Sequence, residues 1–333
     1  MSNNRNISLT DYNSFRTSAF AKFFCEPQSI TEIKSCLQLH AAEDKLIIGG
    51  GCNLFFTKDF EGLVVHPLLK GVAKLSETAD WVDVEAMAGE NWDDFVKQCV
   101  DAGYAGLENL SLIPGTVGAA PVQNIGAYGA EAKDCILEVK TLNMSDLGLR
   151  SFSNEECRFD YRESFFKYNR EFLITSVVFR LYKNFNYQPR YKELNEELSM
   201  FPSPTLQQVR DAVITIRRRK LPDERELPNA GSFFKNPYIS KEKVEELSGN
   251  YPNLPVFPTA DGNSYKTSAA FLIDKAGFKG VRDGNVGTYS KQPLIIVNYG
   301  TPNGKNIVAF MHKIQENVER LFGIKLEPEV RIL

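Results

Sequence analysis

Short apolar runs recur along the chain, and this pattern predicts β-strands. The predicted strands cover residues 46–48, 62–65, 81–88, 136–142, 172–182 and 293–298. The runs 136–142 and 172–182 are rich in β-branched and aromatic side chains, which fit a pleated, half-buried surface. We therefore expect β-structure in the amino-terminal, central and carboxyl-terminal parts of the chain.

Helix-start signals lie between these runs. Ser29 with Glu32, and Thr205 with Gln208, have the spacing of a capping box, in which two side chains satisfy backbone N–H groups of the first helical turn. Asn91 is the predicted cap of another helix. The signals therefore predict helices that begin after residues 29, 91 and 205.

Helix ends and apolar stripes extend this pattern. Gly103 is expected to close the helix that Asn91 caps, because glycine adopts the left-handed conformation found after many helices. Further helices are predicted over residues 267–276 and 306–322. The second has apolar positions at helical spacing, namely Ile307, Met311, Ile314, Val318 and Leu321.

The elements fall into three stretches, residues 1–70, 71–214 and 215–326, followed by an extended tail at 327–333. A chain of 333 residues is long enough for two or three domains with sizeable cores. Strands and helices are mixed in each stretch, and residues 11–70 look like a small α/β unit. The sequence shows no internal repeat and no low-complexity linker.

Residues 109–130 form an uncharged segment bracketed by Glu108 and Glu131. Its length approaches the roughly 20 residues that span a bilayer, but its glycines, its prolines and the polar pair Gln123 and Asn124 argue against a membrane helix. Glycine permits close approach of backbone to a ligand, and consecutive N–H groups bind anions. The segment is therefore either a phosphate-binding wall or a tight structural loop in a core.

A second glycine-rich loop, Gly49-Gly50-Gly51-Cys52-Asn53, follows the predicted strand 46–48. A strand followed by glycines is typical of a close approach to phosphate. The loop has neither the G-x-G-x-x-G pattern of dinucleotide-binding domains nor the G-K-[ST] ending of a P-loop. Two such loops in one chain favour a ligand with a dinucleotide diphosphate.

The charge balance limits the classes of partner. With a hydrophobic fraction of 43%, a charged fraction of 24% and a net charge of −3, the chain is ordinary for a soluble protein and has no overall basic field for nucleic acid. Its first residues lack the apolar core of a signal peptide. We expect a cytoplasmic protein that binds neither nucleic acid nor membranes.

Cysteine and histidine spacing indicates no metal site. The six cysteines, Cys25, Cys36, Cys52, Cys99, Cys135 and Cys157, include no C-x-x-C pair, and the three histidines are far apart in sequence. We therefore expect free thiols in a reducing compartment, without disulfides.

Three residues could carry chemistry, although each is weak evidence when taken alone. Ser232 lies between Gly231 and Phe233 and does not match a nucleophile elbow, so it is either a turn serine or a catalytic group of another kind. Arg162 could clamp a carboxylate with its bidentate fork, or could be an ordinary surface residue. Glu329 lies in the tail. The basic run 217–220 is either the solvated end of a helix or a phosphate contact.

Taken together, these segments resemble the UDP-N-acetylenolpyruvoylglucosamine reductases, flavoenzymes of peptidoglycan precursor synthesis. The resemblance runs from Tyr12 to the carboxyl terminus. It rests on the segments IIGGGCNLFF, GLENLSLIPGTVGAAPVQNIGAYGAE, CRFDYRESFFK, RRRKLPDERELPNAGSFFKNP and LEPEVRI. The stretch YQPRYKEL at residues 187–194 resembles the tyrosine-bearing loop of the family's longer subclass, and either Tyr187 or Tyr191 would be the loop tyrosine.

The resemblance implies a fold and a domain plan. It implies a two-part FAD-binding domain of the vanillyl-alcohol-oxidase-like fold, with residues 1–70 and the tail 327–333 as one part and 71–214 as the other. Residues 215–326 would then form an α+β substrate domain. FAD would be non-covalent, NADPH would be the co-substrate, no metal would be needed, and the protein would be a monomer.

The resemblance also implies roles for individual residues. Ser232, Arg162 and Glu329 match the catalytic positions. The positions that match cofactor-binding residues are Gly49, Gly50, Gly51, Cys52, Asn53, Leu54, Pro114, Gly115, Thr116, Gly118, Ala119, Gln123, Asn124, Gly126, Ala127, Tyr128, Gly129 and Arg331. Those that match the substrate-binding region are Tyr161, Tyr191, Arg217, Lys220, Asn236 and Gln292. Cys52 stands where the family more often has serine.

The implied reaction reduces the enolpyruvyl group of UDP-N-acetylglucosamine enolpyruvate to the lactyl ether, giving UDP-N-acetylmuramate. NADPH reduces FAD, hydride passes from flavin N5 to C3, and Ser232 gives a proton to C2. The alternatives are an FAD oxidase of the same fold group, which would pass electrons to oxygen, and a non-enzymatic flavin-binding module, whose flavin NADPH would not reduce.

Overall fold

The computed structural model describes residues 4–188, 191–259, 262 and 264–333, and it divides into two compact units. Unit 1 comprises residues 1–7, 21–50 and 60–219, and unit 2 comprises residues 8–20, 51–59 and 220–333. The chain passes from unit 1 to unit 2 inside the glycine loop, between Gly50 and Gly51. The three-part division expected from the sequence stays a prediction.

The helices begin and end largely where their caps indicate. They are α1 Ile30–Leu39, α2 Trp92–Asp101, α3 Lys192–Glu197, α4 Leu206–Lys220, α5 Lys241–Asn250, α6 Ala269–Lys275 and α7 Gly304–Phe322. Thr205 and Gln208 form the full capping box before α4, with reciprocal bonds of 2.9 and 3.2 Å. Asn91 accepts the Asp94 N–H at the start of α2, and Gly103 has a φ of +77°.

Four helices differ from the sequence-based prediction, and one of them, α3, was not predicted as a helix. Helix α6 starts at Ala269 because Thr267 belongs to the preceding strand. On α7, Leu321 is 42% exposed and Phe322 takes the buried position. Helix α5 was not predicted, because Val244 and Leu247 give it only a weak apolar stripe.

The strands are mostly short. They are β1 Asn4–Ser8, β2 Phe20–Cys25, β3 Lys45–Ile47, β4 Leu54–Phe55, β5 Phe60–Val65, β6 Val72–Glu77, β7 Trp81–Met87, β8 Gly126–Ala127, β9 Ala130–Glu131, β10 Ile136–Asn143, β11 Leu149–Ser153, β12 Phe172–Tyr182, β13 Tyr238–Ile239, β14 Val256–Pro258, β15 Tyr265–Thr267, β16 Arg282–Asp283, β17 Val286–Thr288, β18 Ile296–Asn298 and β19 Arg331–Ile332. The predicted strand 293–298 is confirmed only over its last three residues. Strand β12 has the predicted bounds.

Unit 1 contains a four-stranded sheet of order β1-β2-β5-β3, in which β5 runs parallel to both β2 and β3. Helix α1 connects β2 to β3 and buries Ile33, Cys36 and Leu37. Cys36 and Cys25, at the end of β2, form a disulfide, so the expectation of six free thiols is wrong. Helix packing against the strand brings the two cysteines together, and no spacing rule in the sequence encodes that contact.

The second sheet of unit 1 is antiparallel, in the order β11-β10-β12-β7-β6. One face buries the alternating residues of β7 and β12 in a core with Trp92 and Phe95 of α2. The Phe179 ring of β12 lies 5.0 Å from Phe95 and 5.9 Å from Trp92. This core fixes the amino terminus of α2, where the uncharged segment is anchored.

Unit 2 is built around α7. Its buried residues pack with α6 and with the rings of Phe15, Phe55 and Phe233 in one core. Two three-stranded sheets, β13-β15-β14 and β16-β17-β18, and the parallel pair β19-β4 complete the unit. The carboxyl-terminal tail is therefore an integral strand of unit 2.

Candidate active site

The uncharged segment 109–130 folds as a succession of tight turns in unit 1. Positive φ angles occur at Leu112, Asn124 and Tyr128, at +58°, +46° and +50°. Such angles are uncommon outside glycine and are maintained only when the surroundings specify them. Within the described ranges, no helix combines the length and the apolar character needed to span a bilayer. The interpretation as a turn-rich segment is confirmed.

The first half of this segment curls around the amino terminus of α2. The Trp92 backbone N–H donates to the Gly115 carbonyl at 3.1 Å, and its indole N–H donates to the Leu110 carbonyl at 2.9 Å. The Val117 N–H donates to the Glu90 carbonyl at 2.9 Å. Residues 110–117 are thus fixed to a helix that is itself buried in the main core.

The two glycine-rich segments meet within unit 1. A Cβ added to Gly49 would lie 2.6 Å from Thr116 Oγ1 and 3.1 Å from the Ala119 methyl group, so only glycine permits the approach. At Gly115, with a φ of +128°, no described atom lies within 4 Å of the corresponding position. Bare backbone with open space beside a second glycine loop is the arrangement that a diphosphate requires.

Asn124 organises the second half of the segment. Its side chain is fully buried, and its amide nitrogen donates to Glu131 Oε2 and to the Asp160 carbonyl, both at 3.0 Å. Its oxygen accepts the Lys133 N–H at 3.0 Å. Because both amide hydrogens and the amide oxygen are engaged within the protein, the Asn124 side chain fixes this turn.

The segment that carries Arg162 is bonded directly to the uncharged segment. Arg162 Nη2 donates to the Gly126 carbonyl at 2.7 Å, and Ser164 Oγ donates to the Val122 carbonyl at 2.7 Å. Arg162 has a φ of +56°, and its guanidinium lies 5.3 Å from the Tyr161 ring centre. The structure therefore brings Arg162 to the candidate cofactor segment, across 36 residues of sequence.

Two tyrosines flank the loop at residues 187–194, of which Pro189 and Arg190 lie outside the described residues. The Tyr191 ring packs edge-on against the Tyr128 ring, with centres 5.2 Å apart, and Tyr191 is 41% exposed. The Tyr187 hydroxyl donates to Asn195 Oδ1 at 2.5 Å. Tyr191 therefore contacts the uncharged segment through Tyr128, and which of the two tyrosines serves as the family's loop tyrosine stays a prediction.

The basic run at the end of α4 is more than a solvated helix end. Arg217 Nε donates to the Leu112 carbonyl at 3.2 Å, and Arg219 forms ion pairs with Glu193 and Glu197. Lys220 is half-buried. Arg217 therefore has a structural contact with the uncharged segment, which the sequence did not predict.

In unit 2, the tail pairs through one isolated antiparallel bridge, Phe234 with Pro328, with the segment that follows Ser232. The Glu329 N–H donates to the Phe233 carbonyl at 2.8 Å, and the Lys235 N–H donates to the Glu327 carbonyl at 2.9 Å. Phe233 lies opposite Glu329, and Ser232, which is exposed, is the residue before Phe233. Two of the three predicted catalytic residues thus lie on paired backbone segments, although 97 positions separate them in sequence (329 − 232).

On its other side, the carboxyl-terminal tail is hydrogen-bonded to the loop that contains Asn53. Asn53 Nδ2 donates to the Glu329 carbonyl at 3.2 Å, the Arg331 N–H donates to the Asn53 carbonyl at 2.9 Å, and Arg331 pairs with Leu54 in the parallel ladder. Burial raises the pKa of the Cys52 thiol to about 12, and Glu224 adds to the shift. The thiol is therefore neutral and a weak donor near neutral pH.

The predicted substrate residues Asn236 and Gln292 are also in unit 2. Asn236 Oδ1 accepts the Ala269 N–H at 3.0 Å, so the NH2 group of Asn236 points away from the start of α6. Beside it, Tyr238, Lys266 and Phe257 are in register across β13, β15 and β14. Tyr238 and Phe257 are 52% and 60% exposed, and the Lys266 ammonium lies 5.3 Å from the Tyr238 ring centre.

These features are those of a flavoprotein, and comparison with known proteins agrees. Residues 21–146 match the family model of an FAD binding domain. Residues 222–333 match the model of the UDP-N-acetylenolpyruvoylglucosamine reductase carboxyl-terminal domain. The flavin-domain prediction is confirmed by the first match.

Full-length relatives identify the family. The chain is 43% identical to UDP-N-acetylenolpyruvoylglucosamine reductase of Flavobacterium johnsoniae over 333 residues, covering 98% of each chain. It is 45% identical to that of Pseudomonas aeruginosa over 329 residues, covering 97% of this chain and 96% of the relative. The crystal structure of the reductase from Thermus caldophilus aligns with a TM-score of 0.66 at 23% identity, over 98% of both chains. The chain belongs to the UDP-N-acetylenolpyruvoylglucosamine reductase family.

Sequence reasoning missed residues that hold the site in shape. Asp93 and Arg210 form a bidentate ion pair, and Asp93 also accepts the Leu112 N–H. The two charged residues are 117 positions apart. Neither lies in a recognisable motif, so no sequence signal could have singled them out.

Proposed function

We propose that the protein is an NADPH-dependent FAD enzyme that reduces the enolpyruvyl group of UDP-N-acetylglucosamine enolpyruvate and yields UDP-N-acetylmuramate. Membership of the reductase family supports the reaction. The observation that carries the residue assignment is the hydrogen bond from the Glu329 N–H to the carbonyl of Phe233, the residue after Ser232, beside the Phe234–Pro328 bridge. It joins two candidate proton-handling groups that no sequence proximity connects.

The residues present fit an FAD cofactor. In unit 1, Gly49 lies against Thr116 without a side chain between them, and the turn at Gly115 has open space where a Cβ would be, which suits the close approach of a diphosphate. In unit 2, Arg331 donates to the Asn53 carbonyl and pairs with Leu54, and we assign Gly51, Cys52, Asn53, Leu54 and Arg331 to cofactor binding as well. When bound, the flavin supplies the hydride that NADPH provides. The protein orients the flavin and the substrate and provides the electrostatic environment of the reaction.

We assign to Ser232 the proton that reaches C2 of the substrate. Hydride addition at C3 leaves negative charge at C2, conjugated with the carboxylate, and this carbon is basic enough to take a hydroxyl proton. Ser232 is exposed after the turn at Gly231, where φ is +69° and no described atom occupies the Cβ position. The hydroxyl therefore has room for a substrate beside it.

We assign charge stabilisation to Arg162 and Glu329. A guanidinium offers a bidentate fork to a carboxylate, and preorganised donors are most effective where charge develops in the transition state. Arg162 is already fixed by its bond to Gly126 and does not have to be ordered when substrate arrives. Glu329 would orient the carboxylate of the substrate or share a proton with it.

The nucleotide end of the substrate has candidate partners. Lys220 and Arg217 supply positive charge for the diphosphate, Tyr191 and Tyr161 supply aromatic hydroxyls, and Asn236 has an NH2 group directed away from α6. Gln292 adds an amide in the same unit. The exposed strip Tyr238–Lys266–Phe257, which begins two residues after Asn236, suits a planar uracil ring, which stacks on aromatic side chains.

An anaerobic titration of the purified protein tests the proposal. The expected result is a yellow protein that NADPH bleaches and that regains its colour on addition of UDP-N-acetylglucosamine enolpyruvate. Bleaching without recovery by this substrate would reject the reductase assignment. Fast peroxide formation with NADPH alone would favour an oxidase, and flavin that NADPH does not reduce would favour a binding module.

We also propose a monomer that works in the cytoplasm without metal, nucleic acid or membrane partners. Within the described residues, no three His, Cys, Asp or Glu side chains form a group that could hold a metal ion. Gel filtration with light scattering gives the mass to compare with 37.5 kDa. A mass of twice that value would overturn the monomer.

A further inference from the structure

A buried ion pair that the proposed chemistry does not use lies next to the uncharged segment in unit 1. Arg210 of α4 has a side chain that is only 6% exposed, and Asp93, in the first turn of α2, is 24% exposed. Arg210 Nη1 donates to Asp93 Oδ1 at 2.7 Å, and Nη2 donates to Oδ2 at 3.0 Å. A bidentate pair of this kind has a fixed geometry.

The same carboxylate reaches the backbone of the uncharged segment. Asp93 Oδ1 accepts the Leu112 N–H at 2.5 Å, while Arg217 Nε donates to the Leu112 carbonyl at 3.2 Å. Both polar groups of one residue are therefore held by side chains from two helices. Burial alone would raise the pKa of Asp93, but the bonds from Arg210 and Leu112 lower it overall, so the carboxylate is ionised near neutral pH.

Leu112 needs this support because its backbone is left-handed. Its φ is +58°, a conformation in which the Cβ of an L-residue crowds the following carbonyl oxygen. Three residues later, Gly115 has a φ of +128°, and Thr116 contacts Gly49 of the other glycine loop. The conformation of Leu112 thus sets the direction in which the chain enters the turn that faces Gly49.

We propose that Asp93 and Arg210 are positioning residues for FAD, because they hold Leu112 in its left-handed conformation and so preset the Pro114–Thr116 turn. The inference rests on the FAD cofactor of the proposed function. It assigns a ligand-affinity role to a pair that would otherwise be counted as core stabilisation.

A second bidentate ion pair in unit 1 is the control that separates an effect on FAD affinity from an effect on protein stability. Asp83 and Arg180 are also bidentate, at 2.8 and 2.9 Å, but connect β7 to β12 and make no bond to the uncharged segment. The dissociation constant of FAD would be measured by ultrafiltration of diluted yellow holoprotein. Asp93→Asn is expected to raise it about tenfold, and Asp83→Asn less than twofold.

Relief of the backbone strain provides a second, independent readout. Glycine adopts a positive φ readily, so Leu112→Gly reduces the need for the clamp. Leu112→Gly combined with Asp93→Asn is expected to return the FAD dissociation constant to within about threefold of that of Leu112→Gly alone. If Asp93→Asn does not fold, Arg210→Lys, which keeps the charge but loses the fork, is expected to show the same rescue.

Three outcomes would overturn the inference while the wild-type protein remains yellow. They are wild-type FAD affinity in both Asp93→Asn and Arg210→Lys, equal loss in Asp93→Asn and Asp83→Asn, and absence of rescue by Leu112→Gly. A wild-type protein that retains no FAD would instead reject the proposed function, so the two failures are distinguishable.

Discussion

Arg162 donates a hydrogen bond of 2.7 Å to the carbonyl oxygen of Gly126. The same guanidinium leaves no room for a side chain at Gly126, where an added Cβ would lie 2.9 Å from Nη1. A candidate catalytic residue is therefore built into the wall of the candidate cofactor site. Its position depends on a planar guanidinium that donates to the backbone of the uncharged segment.

Arg162→Lys should not behave as a conservative substitution, because an ammonium cannot bond Gly126 and also present a fork. We expect flavin reoxidation by substrate to slow about 100-fold, in the range found for loss of one preorganised donor. Flavin reduction by NADPH should stay near normal. Stopped-flow absorbance measures both half-reactions, and Arg158→Lys, an exposed arginine in the same segment, is the control. Wild-type reoxidation in Arg162→Lys would remove the residue from the mechanism.

Ser232→Ala should stall the second half-reaction selectively. A general acid typically increases the rate of its step by a factor of about 10²–10⁴. The proton assigned to Ser232 is needed only after hydride transfer to the substrate. Reduction by NADPH is expected to be near normal, and reoxidation by the enolpyruvyl substrate to fall by about that factor. Ser248→Ala, on the exposed side of α5, should change neither rate. Equal slowing of both half-reactions would contradict the assigned role.

Gly51→Ala should destabilise the protein, because the added methyl group would lie 2.1 Å from the Tyr12 carbonyl oxygen and φ is +67°. Overpacking and left-handed strain together suggest a loss of about 3 kcal/mol in the free energy of unfolding. Gly249→Ala is the control, since Gly249 lies within α5 with no described atom near its Cβ position. That change should be stabilising by about 0.5 kcal/mol. Urea denaturation compares the two, and equal midpoints would refute the steric explanation.

The Cys25–Cys36 disulfide predicts a thiol count. Denatured, unreduced protein should titrate four thiols, those of Cys52, Cys99, Cys135 and Cys157, and reduced protein should titrate all six. Without reductant, Cys25→Ser frees Cys36 and should give five thiols. Six thiols in the unreduced wild-type protein would show that the pair is reduced in solution.

The Asp83–Arg180 pair predicts a pH dependence of stability. The hydrogen bond from Arg180 outweighs burial and keeps the pKa of Asp83 below its ordinary value of 3.8. A depressed pKa in the folded state stabilises the protein above the unfolded-state value, and that stability disappears as pH falls through the folded-state value. The difference in free energy of unfolding between wild type and Asp83→Asn should be constant from about pH 7 to 5 and shrink below about pH 4. A difference that persists unchanged at pH 2.5 would contradict this.

Local sequence signals predicted element ends well because they act within a few residues. The Thr205–Gln208 box, the Asn91 cap and the Gly103 termination all involve bonds inside one or two turns, and each is confirmed. The prediction that Leu321 belongs to the apolar stripe of α7 was wrong, because burial depends on contacts between elements far apart in the chain. Helical spacing defines a stripe, but the partners of α7 decided that Phe322, and not Leu321, would be buried.

The sequence by itself determined the family, the two glycine-rich segments and the residue types of the site, because each depends on short motifs whose chemistry is local. Tertiary structure alone decided which distant residues meet. It joined Cys25 to Cys36, Glu329 to the backbone of Phe233 next to Ser232, and Arg210 through Asp93 to the Leu112 backbone. These contacts follow from packing of helices and strands far apart in the chain, and neither propensity nor periodicity carries information about them.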